Sequence, residues 1–341
     1  MKAVYSELHR SHDPQFFLVR GVVQRTTEQP ERADRLLAGV RAGGHTLIEP
    51  TEFGQGPRAR VHSADYLRFL ADAWDEWVAL GDAGSEMIAN IHPVRHAATY
   101  PTHIVGQLGW HTSDTACPIG PGTWKGACAA TDVAVTAAQL VMDGERASYA
   151  LCRPPGHHAF ADAAGGFCFL NNSAIAAAHL RQMHERVAIL DVDVHHGNGT
   201  QGIFYDRADV LTISIHADPA SFYPFVWGHA HERGAGRGLG ANLNIPLPLG
   251  TGDDGFMAAL AQAKAMIAAY APGALVIALG LDASKDDPLA GLAVTTDGFH
   301  RIGAAIASIG VPTVFVQEGG YLSDILGANL TAVLGGFEQN C

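Results

Sequence analysis

Cysteine chemistry has little to work with in this chain. Its five cysteines, Cys117, Cys128, Cys152, Cys168 and Cys341, are odd in number and form no Cys-x-x-Cys pair. That excludes a disulfide framework and speaks against a thiolate zinc site, leaving buried free thiols as the expectation. Positive charge is also scarce. Lys and Arg number 22 against 34 Asp and Glu, for a formal net charge of −12. Such a surface does not neutralise phosphates, so nucleic acid is not expected as a partner, whereas a cationic ligand would be drawn inward. No apolar run reaches the roughly 18 residues of a membrane span, so no membrane partner is expected either. The segment Met1 to Glu7 meets a charge too soon for a secretory hydrophobic region, and a cytoplasmic protein is expected. Internal repeats, a Ser/Pro-rich linker and a Gly-x-Ser-x-Gly elbow are missing as well.

What the chain has is core. Hydrophobic residues make up 48% of its 341 positions. Candidate strands are Ala3 to Ser6, Tyr149 to Cys152, Val187 to Val192, Val210 to Ile215, Ala274 to Leu281 and Pro312 to Gln317. Most are continuous apolar runs, the pattern of parallel strands buried on both faces. Helical stretches lie between them. One opens near Pro30-Glu31-Arg32, one runs from Trp124 towards Met142, and one runs from Gly255 to Tyr270 with Phe256, Leu260, Ala263 and Ile267 on one stripe. The alternation predicts an α/β fold: a single domain over 1–341, with a central, mostly parallel sheet and helices on both faces. Residues 8–28 and 83–107 have no clear period and read as long loops, which in such folds are usually functional or interfacial.

The strand ends carry the chemistry. Asp191, Asp193 and His195 follow one another at spacings of two, which on a strand places them on one face. Ligands of open α/β sheets bind beyond the carboxyl ends of the strands. There the chain sets His157 and His158, the Asp191 cluster, His216 with Tyr223 shortly after, Asp282, and Glu318 leading to Tyr321. Taken singly, Asp282 could cap a helix, the two histidines could be turn residues, and Tyr321 could be a surface tyrosine. Two close carboxylates at a buried strand end resist that treatment, because they need a cation. Asp193, His195 and Asp282 would give a divalent ion three ligands and leave positions open, as catalytic sites do. Metal-assisted hydrolysis is the chemistry this suggests. A histidine would move the proton and a tyrosine hydroxyl would meet the oxyanion. Gly197 to Gly202 matches a dinucleotide fingerprint, but the next strand begins near Val210, too soon for a full crossover helix, and Asp191 and Asp193 would repel a pyrophosphate.

With these residues in view, the chain resembles the arginase-deacetylase superfamily and, within it, the histone deacetylase and acetylpolyamine amidohydrolase family. Six ordered motifs carry the resemblance: Pro30-Glu31-Arg32, Arg153 to Ala159, Gly166 to Asn172, Asp191 to Thr200, Gly280 to Asp282 and Glu318 to Tyr321. The resemblance implies an arginase-deacetylase fold and a zinc ion on Asp193, His195 and Asp282; iron(II), cobalt or manganese would suit the same donors. It implies that His158 is general base and then acid, with His157 as electrostatic partner and Tyr321 as transition-state donor. Asp191 would orient His157. Asn198 stands where some members have an Asp facing the second histidine. Phe167 and Tyr223 would wall an acyl-amine tunnel beside Gly166, with Leu289 near its mouth. Asp191, Asp193 and His195, with Ser214 and the backbone of Ile215, resemble a structural potassium site.

Pro121 to Trp124 and the loop at 83–107 look most like the acetylpolyamine amidohydrolases. That subgroup implies a homodimer whose long loop narrows the entrance, and a small cationic acetylated amine as substrate. Some members hold the distal ammonium with an acidic residue near the mouth; the aligned position here is Ala116, with Asp114 two residues before it. The alternatives are deacetylation of acetyl-lysine or another small acyl-amine, and, from another class, a non-catalytic metal- or acyl-binding protein. An arginase-like dimanganese enzyme would need further Asp and His ligands.

Overall fold

The computed structural model describes residues 1–93 and 99–341. In chain order its strands are β1 (Lys2–Val4), β2 (Phe16–Val19), β3 (Val22–Arg25), β4 (Thr46–Ile48), β5 (Ala147–Ala150), β6 (Val187–Asp191), β7 (Val210–Ala217), β8 (Asn242–Leu247), β9 (Ala274–Leu279) and β10 (Thr313–Gln317). Strands β2 and β3 make a separate antiparallel hairpin. The other eight form one sheet in the order β4-β1-β5-β10-β9-β6-β7-β8, every pairing parallel.

The helices are α1 (Glu31–Ala42), α2 (Gln55–Ala59), α3 (Ala64–Val78), α4 (Ile104–Trp110), α5 (Thr123–Met142), α6 (Asn172–Leu180), α7 (Asn198–Phe204), α8 (Asp253–Tyr270), α9 (Thr296–Ala307) and α10 (Leu326–Gln339). They divide between the two faces, and the strands show why. Val187 and Ile189 of β6 enter a core with residues of α3, α5 and α6. Ala188 and Leu190 of the same strand enter a second core with α1, α8, α9 and α10. Successive side chains of a strand point to opposite faces, so a strand covered on both must be apolar throughout. Among the described residues no helix is long and apolar enough to cross a membrane.

The sheet extends beyond the six strands expected. Strand β4 is only three residues long and half exposed, and β8 carries Pro246. Both lie at the edges, where an outward N–H needs no partner and an apolar run is not required. Residues 8–28, expected to be irregular, hold a short 3-10 helix at Glu7–Ser11 and the β2–β3 hairpin. Within 83–107, Met87 bridges Ile119 and α4 begins at Ile104; positions 94–98 lie outside the described residues. The interval before β7 does contain a crossover helix, the seven-residue α7, so two turns suffice where a full-length helix was expected to be needed. Its first turn is occupied by protein contacts: the Thr200 N–H donates to the His157 carbonyl at 3.1 Å and Asn198 faces His158.

Candidate active site

The carboxyl ends of β5, β10, β9 and β6 adjoin in the middle of the sheet, and the loops leaving them bring the sequence-expected groups together. One local detail differs from the spacing argument. Strand β6 stops at Asp191, so Asp193 and His195 lie on the loop beyond it. Side-chain turns bend that loop. Asp191 Oδ1 accepts the Asp193 N–H at 3.0 Å, and Asp193 Oδ1 accepts the His195 N–H at 2.9 Å. Short polar side chains bonding the backbone two residues on favour turns over continued strand.

Asp193, His195 and Asp282 offer three ligand atoms within 4.8 Å of one another. His195 Nδ1 lies 3.1 Å from Asp193 Oδ1 and 3.2 Å from Asp282 Oδ2. Both Asp side chains are fully buried, whereas that of His195 keeps 10% exposure, so the cluster opens on the imidazole side. Backbone donors fix the carboxylates: Gly319 N–H reaches Asp193 Oδ2 at 2.7 Å and Val194 N–H reaches Asp282 Oδ1 at 3.0 Å. Gly319 approaches so closely that a Cβ there would strike both carboxylates. Burial and the neighbouring Asp193 push the Asp282 carboxyl up to about 6. Burial works against a proton on His195, but Asp193 and Asp282 outweigh it and raise the imidazole to about 9. Two carboxylates and an imidazole that together demand a positive charge are a donor set suited to a divalent cation.

Beside this cluster the rings of His157 and His158 lie 4.0 Å apart, centre to centre. His157 Nδ1 donates to Asp191 Oδ2 at 2.8 Å, and His158 Nδ1 meets Asn198 Oδ1 at 2.6 Å. Burial lowers both imidazoles. For His157 the charges of Asp191 and Asp193 win, and it sits well above the usual range. For His158 the neighbouring His157 and His195 add to burial, and it sits well below. The two neighbouring rings are thus pushed in opposite directions.

Aromatic rings surround the histidines. Tyr223 stands edge-on to His158 at 5.0 Å and lies 6.0 Å from His195. Phe167 is 5.9 Å from Tyr321. Gly166, at φ +50°, fits between His158 and the Tyr223 hydroxyl, where any Cβ would collide with the His158 ring. Leu289 is half-buried on the loop after Asp282 and donates its N–H to Asp287 Oδ1 at 2.9 Å. Asp191 and Ser214 face each other across β6 and β7, and Ser214 Oγ also lies 2.8 Å from His216 Nδ1.

Several supporting groups have no distinctive spacing in the sequence. Asp287 Oδ2 accepts the Tyr321 N–H at 2.8 Å, tying Tyr321 to the Leu289 loop. Glu318 Oε2 accepts from Gly156 and His157 N–H at 2.6 and 2.9 Å, and its Oε1 from Ser173 Oγ at 2.6 Å. The Arg32 guanidinium lies over the Tyr321 ring at 4.7 Å. Phe222 stacks on His195 at 5.1 Å. Only the presence of Arg32 and Glu318 inside motifs could have flagged them.

The sequence profile described as the histone deacetylase domain matches residues 26–337. The chain is 48% identical to acetylpolyamine amidohydrolase 1 of Pseudomonas aeruginosa, over 99% of each protein. A histone deacetylase-like amidohydrolase of the same organism is 39% identical over 84% of this chain and 80% of that protein. The crystal structure of an acetylpolyamine aminohydrolase from Burkholderia pseudomallei superposes with a TM-score of 0.97 at 47% identity, covering 100% of this chain and 99% of that one.

Proposed function

This chain belongs to the histone deacetylase family, and from that premise we propose that it is an amide hydrolase acting on acetylated polyamines. The single observation that carries the reading is the convergence of Asp193, His195 and Asp282 within 4.8 Å, at a rim that also holds two differently partnered histidines. The polyamine preference draws on similarity to proteins named acetylpolyamine amidohydrolases.

In this reading Asp193, His195 and Asp282 hold a divalent ion, zinc first, with iron(II), cobalt or manganese as chemical equivalents. When bound, the ion supplies Lewis acidity towards water and the amide carbonyl. His158, whose Nδ1 is held by the Asn198 amide oxygen, presents Nε2 to take a proton from water and return it to the leaving amine. An amide partner orients that ring without adding the negative charge an Asp would bring. His157, bonded to Asp191, contributes fixed positive charge next to the reacting centre. Tyr321 donates a hydrogen bond to the developing oxyanion. Phe167, Gly166 and Tyr223 line the approach, with Leu289 at the mouth. Asp191, Asp193, His195 and Ser214, with the backbone of Ile215, would hold a structural potassium ion. The domain is the whole of 1–341, with 83–107 as entrance and contact of a homodimer. Five free cysteines suit a reducing, cytoplasmic compartment.

The test is a substrate panel. The metal-loaded protein should hydrolyse acetylputrescine and acetylspermidine better than an acetyl-lysine peptide, and a chelator should abolish all three activities until metal is restored. A clear preference for the peptide would move the assignment to a lysine deacetylase. Full remetallation with no turnover of any of the three would reject deacetylation.

A further inference from the structure

The tunnel walls proposed above are joined by a residue to which no function is assigned. Asp114 lies on an irregular stretch between α4 and α5, but its backbone setting is rigid. Ser113 N–H donates to the Ala164 carbonyl at 2.7 Å, and Ala164 N–H donates to the His111 carbonyl at 2.8 Å. The stretch therefore runs alongside the segment that leads into Gly166 and Phe167. Four donors converge on the Asp114 carboxylate. Oδ1 accepts from the Ala116 N–H at 2.8 Å and faces Cys117 Sγ at 3.7 Å. Oδ2 accepts from the Gly166 N–H at 3.0 Å and from the Tyr223 hydroxyl at 2.5 Å. One oxygen thus joins the backbone of one wall to the side chain of the other.

We propose that Asp114 is a positioning residue that sets the bore of the acyl-amine tunnel by clamping the Gly166–Phe167 wall to Tyr223. This inference rests on the deacetylase reading above. An ionised carboxylate offers about four acceptor positions, and here four donors face it, so Asp114 acts through the walls and not by touching the substrate. A hydroxyl donating to a carboxylate makes a short, strong bond, and 2.5 Å lies at that short end. The clamp also accounts for the tyrosine. A half-buried phenol needs a partner for its hydroxyl, which a phenylalanine wall would not. Phe167, at φ +69°, follows the clamped amide in a tight turn closed by Gly165 and Cys168, which exchange N–H to carbonyl bonds at 3.1 and 2.8 Å. Because the Tyr223 ring is edge-on to His158 at 5.0 Å, releasing it widens the passage directly in front of the proposed base.

The test uses the metal-loaded full chain with two acetylated substrates, 1,4-diaminobutane and its 2-methyl-branched counterpart. Wild type should prefer the linear one. Tyr223→Phe and Asp114→Ala should each shift the ratio of kcat/KM towards the branched substrate by about tenfold, mainly through KM, the scale of one methyl group in a pocket. The double variant should shift no further than either single one, because both remove the same bond. A double variant whose shift is the product of the single shifts overturns the clamp, as do single variants that keep the wild-type preference. If Asp114→Ala does not fold, Tyr223→Phe decides alone, since it removes one hydroxyl and keeps the ring. Melting temperatures of the same proteins read the coupling without substrate: non-additive losses support the clamp and additive ones overturn it. A wild type that hydrolyses neither acetylated diamine defeats the proposed function, and the melting series then decides the clamp.

Discussion

Under the proposed function, Tyr321 and His158 are the residues that would separate chemistry from metal retention at the level of single atoms. Neither belongs to the Asp193, His195 and Asp282 donor set. Tyr321→Phe removes one hydroxyl and leaves the ring under the Arg32 guanidinium. His158→Ala removes the ring that Asn198 holds. Both variants are expected to keep one metal per chain and to lose roughly a hundredfold or more in kcat. Metal analysis and steady-state rates on the same preparations check this, and wild-type rates would remove both residues from the mechanism. The candidate ligands were legible in the sequence because charged side chains at buried strand ends are rare and so stand out. Asp287 and Asp114 were not, because their partners are backbone N–H groups and a hydroxyl, which leave no mark in residue spacing.

At the scale of elements, a few buried side chains do the joining. Glu318, at the end of β10, accepts from two backbone N–H groups of the loop after β5 and from Ser173 at the start of α6. Burial pushes its carboxyl up to about 7. Glu318→Ala would leave those N–H groups without a partner in a dry interior. Unfolding in urea should register a loss of about 2 kcal/mol, the scale for leaving buried hydrogen-bond donors unsatisfied. A loss below about 0.5 kcal/mol, the level of an ordinary surface change, would mean that the loop is held by other contacts. The central strands were readable from their apolar runs, and α5 and α8 from theirs. The edge β4 and the β2–β3 hairpin were not, because half-exposed strands are not forced to be apolar, and β8 was not, because its buried positions include Asn242 and Asn244. That hairpin touches the site through Phe17, 5.4 Å from Phe167.

The whole molecule depends on charge buried far from the surface. Glu28 is fully buried and pairs with Arg32 Nη1 and Arg153 Nε, each at 2.8 Å, with His12 Nε2 at 3.4 Å. Burial alone would raise its carboxyl, but Arg153, His12 and Arg32 outweigh burial and hold it well below the ordinary value of 4.5. A group lowered by folding adds stability above its unfolded value, and that stability drains away as the pH falls towards the folded value. Chemical unfolding measured from pH 7 to pH 3 should therefore show wild type weakening below about pH 4.5. Glu28→Gln should be weaker than wild type by about 3 kcal/mol at pH 7, with the gap closing as acid protonates Glu28. A gap that stays constant with pH would assign the loss to packing instead of charge.

By itself the sequence determined the class of fold, the family and the three ligand candidates. Each depends on residue type at a position the local pattern already identifies: apolar runs for strands covered on both faces, and carboxylates or imidazoles where those runs end. The tertiary structure decided how those ends meet. It set β5, β10, β9 and β6 side by side although residues far apart in the chain form them. It bent the chain after Asp191 through two side-chain turns. It also brought Asp114 within reach of Gly166 and Tyr223, positions 52 and 109 residues away. Hydrogen bonds over such separations depend on where the packed sheet carries the backbone, and no local pattern of residues records that.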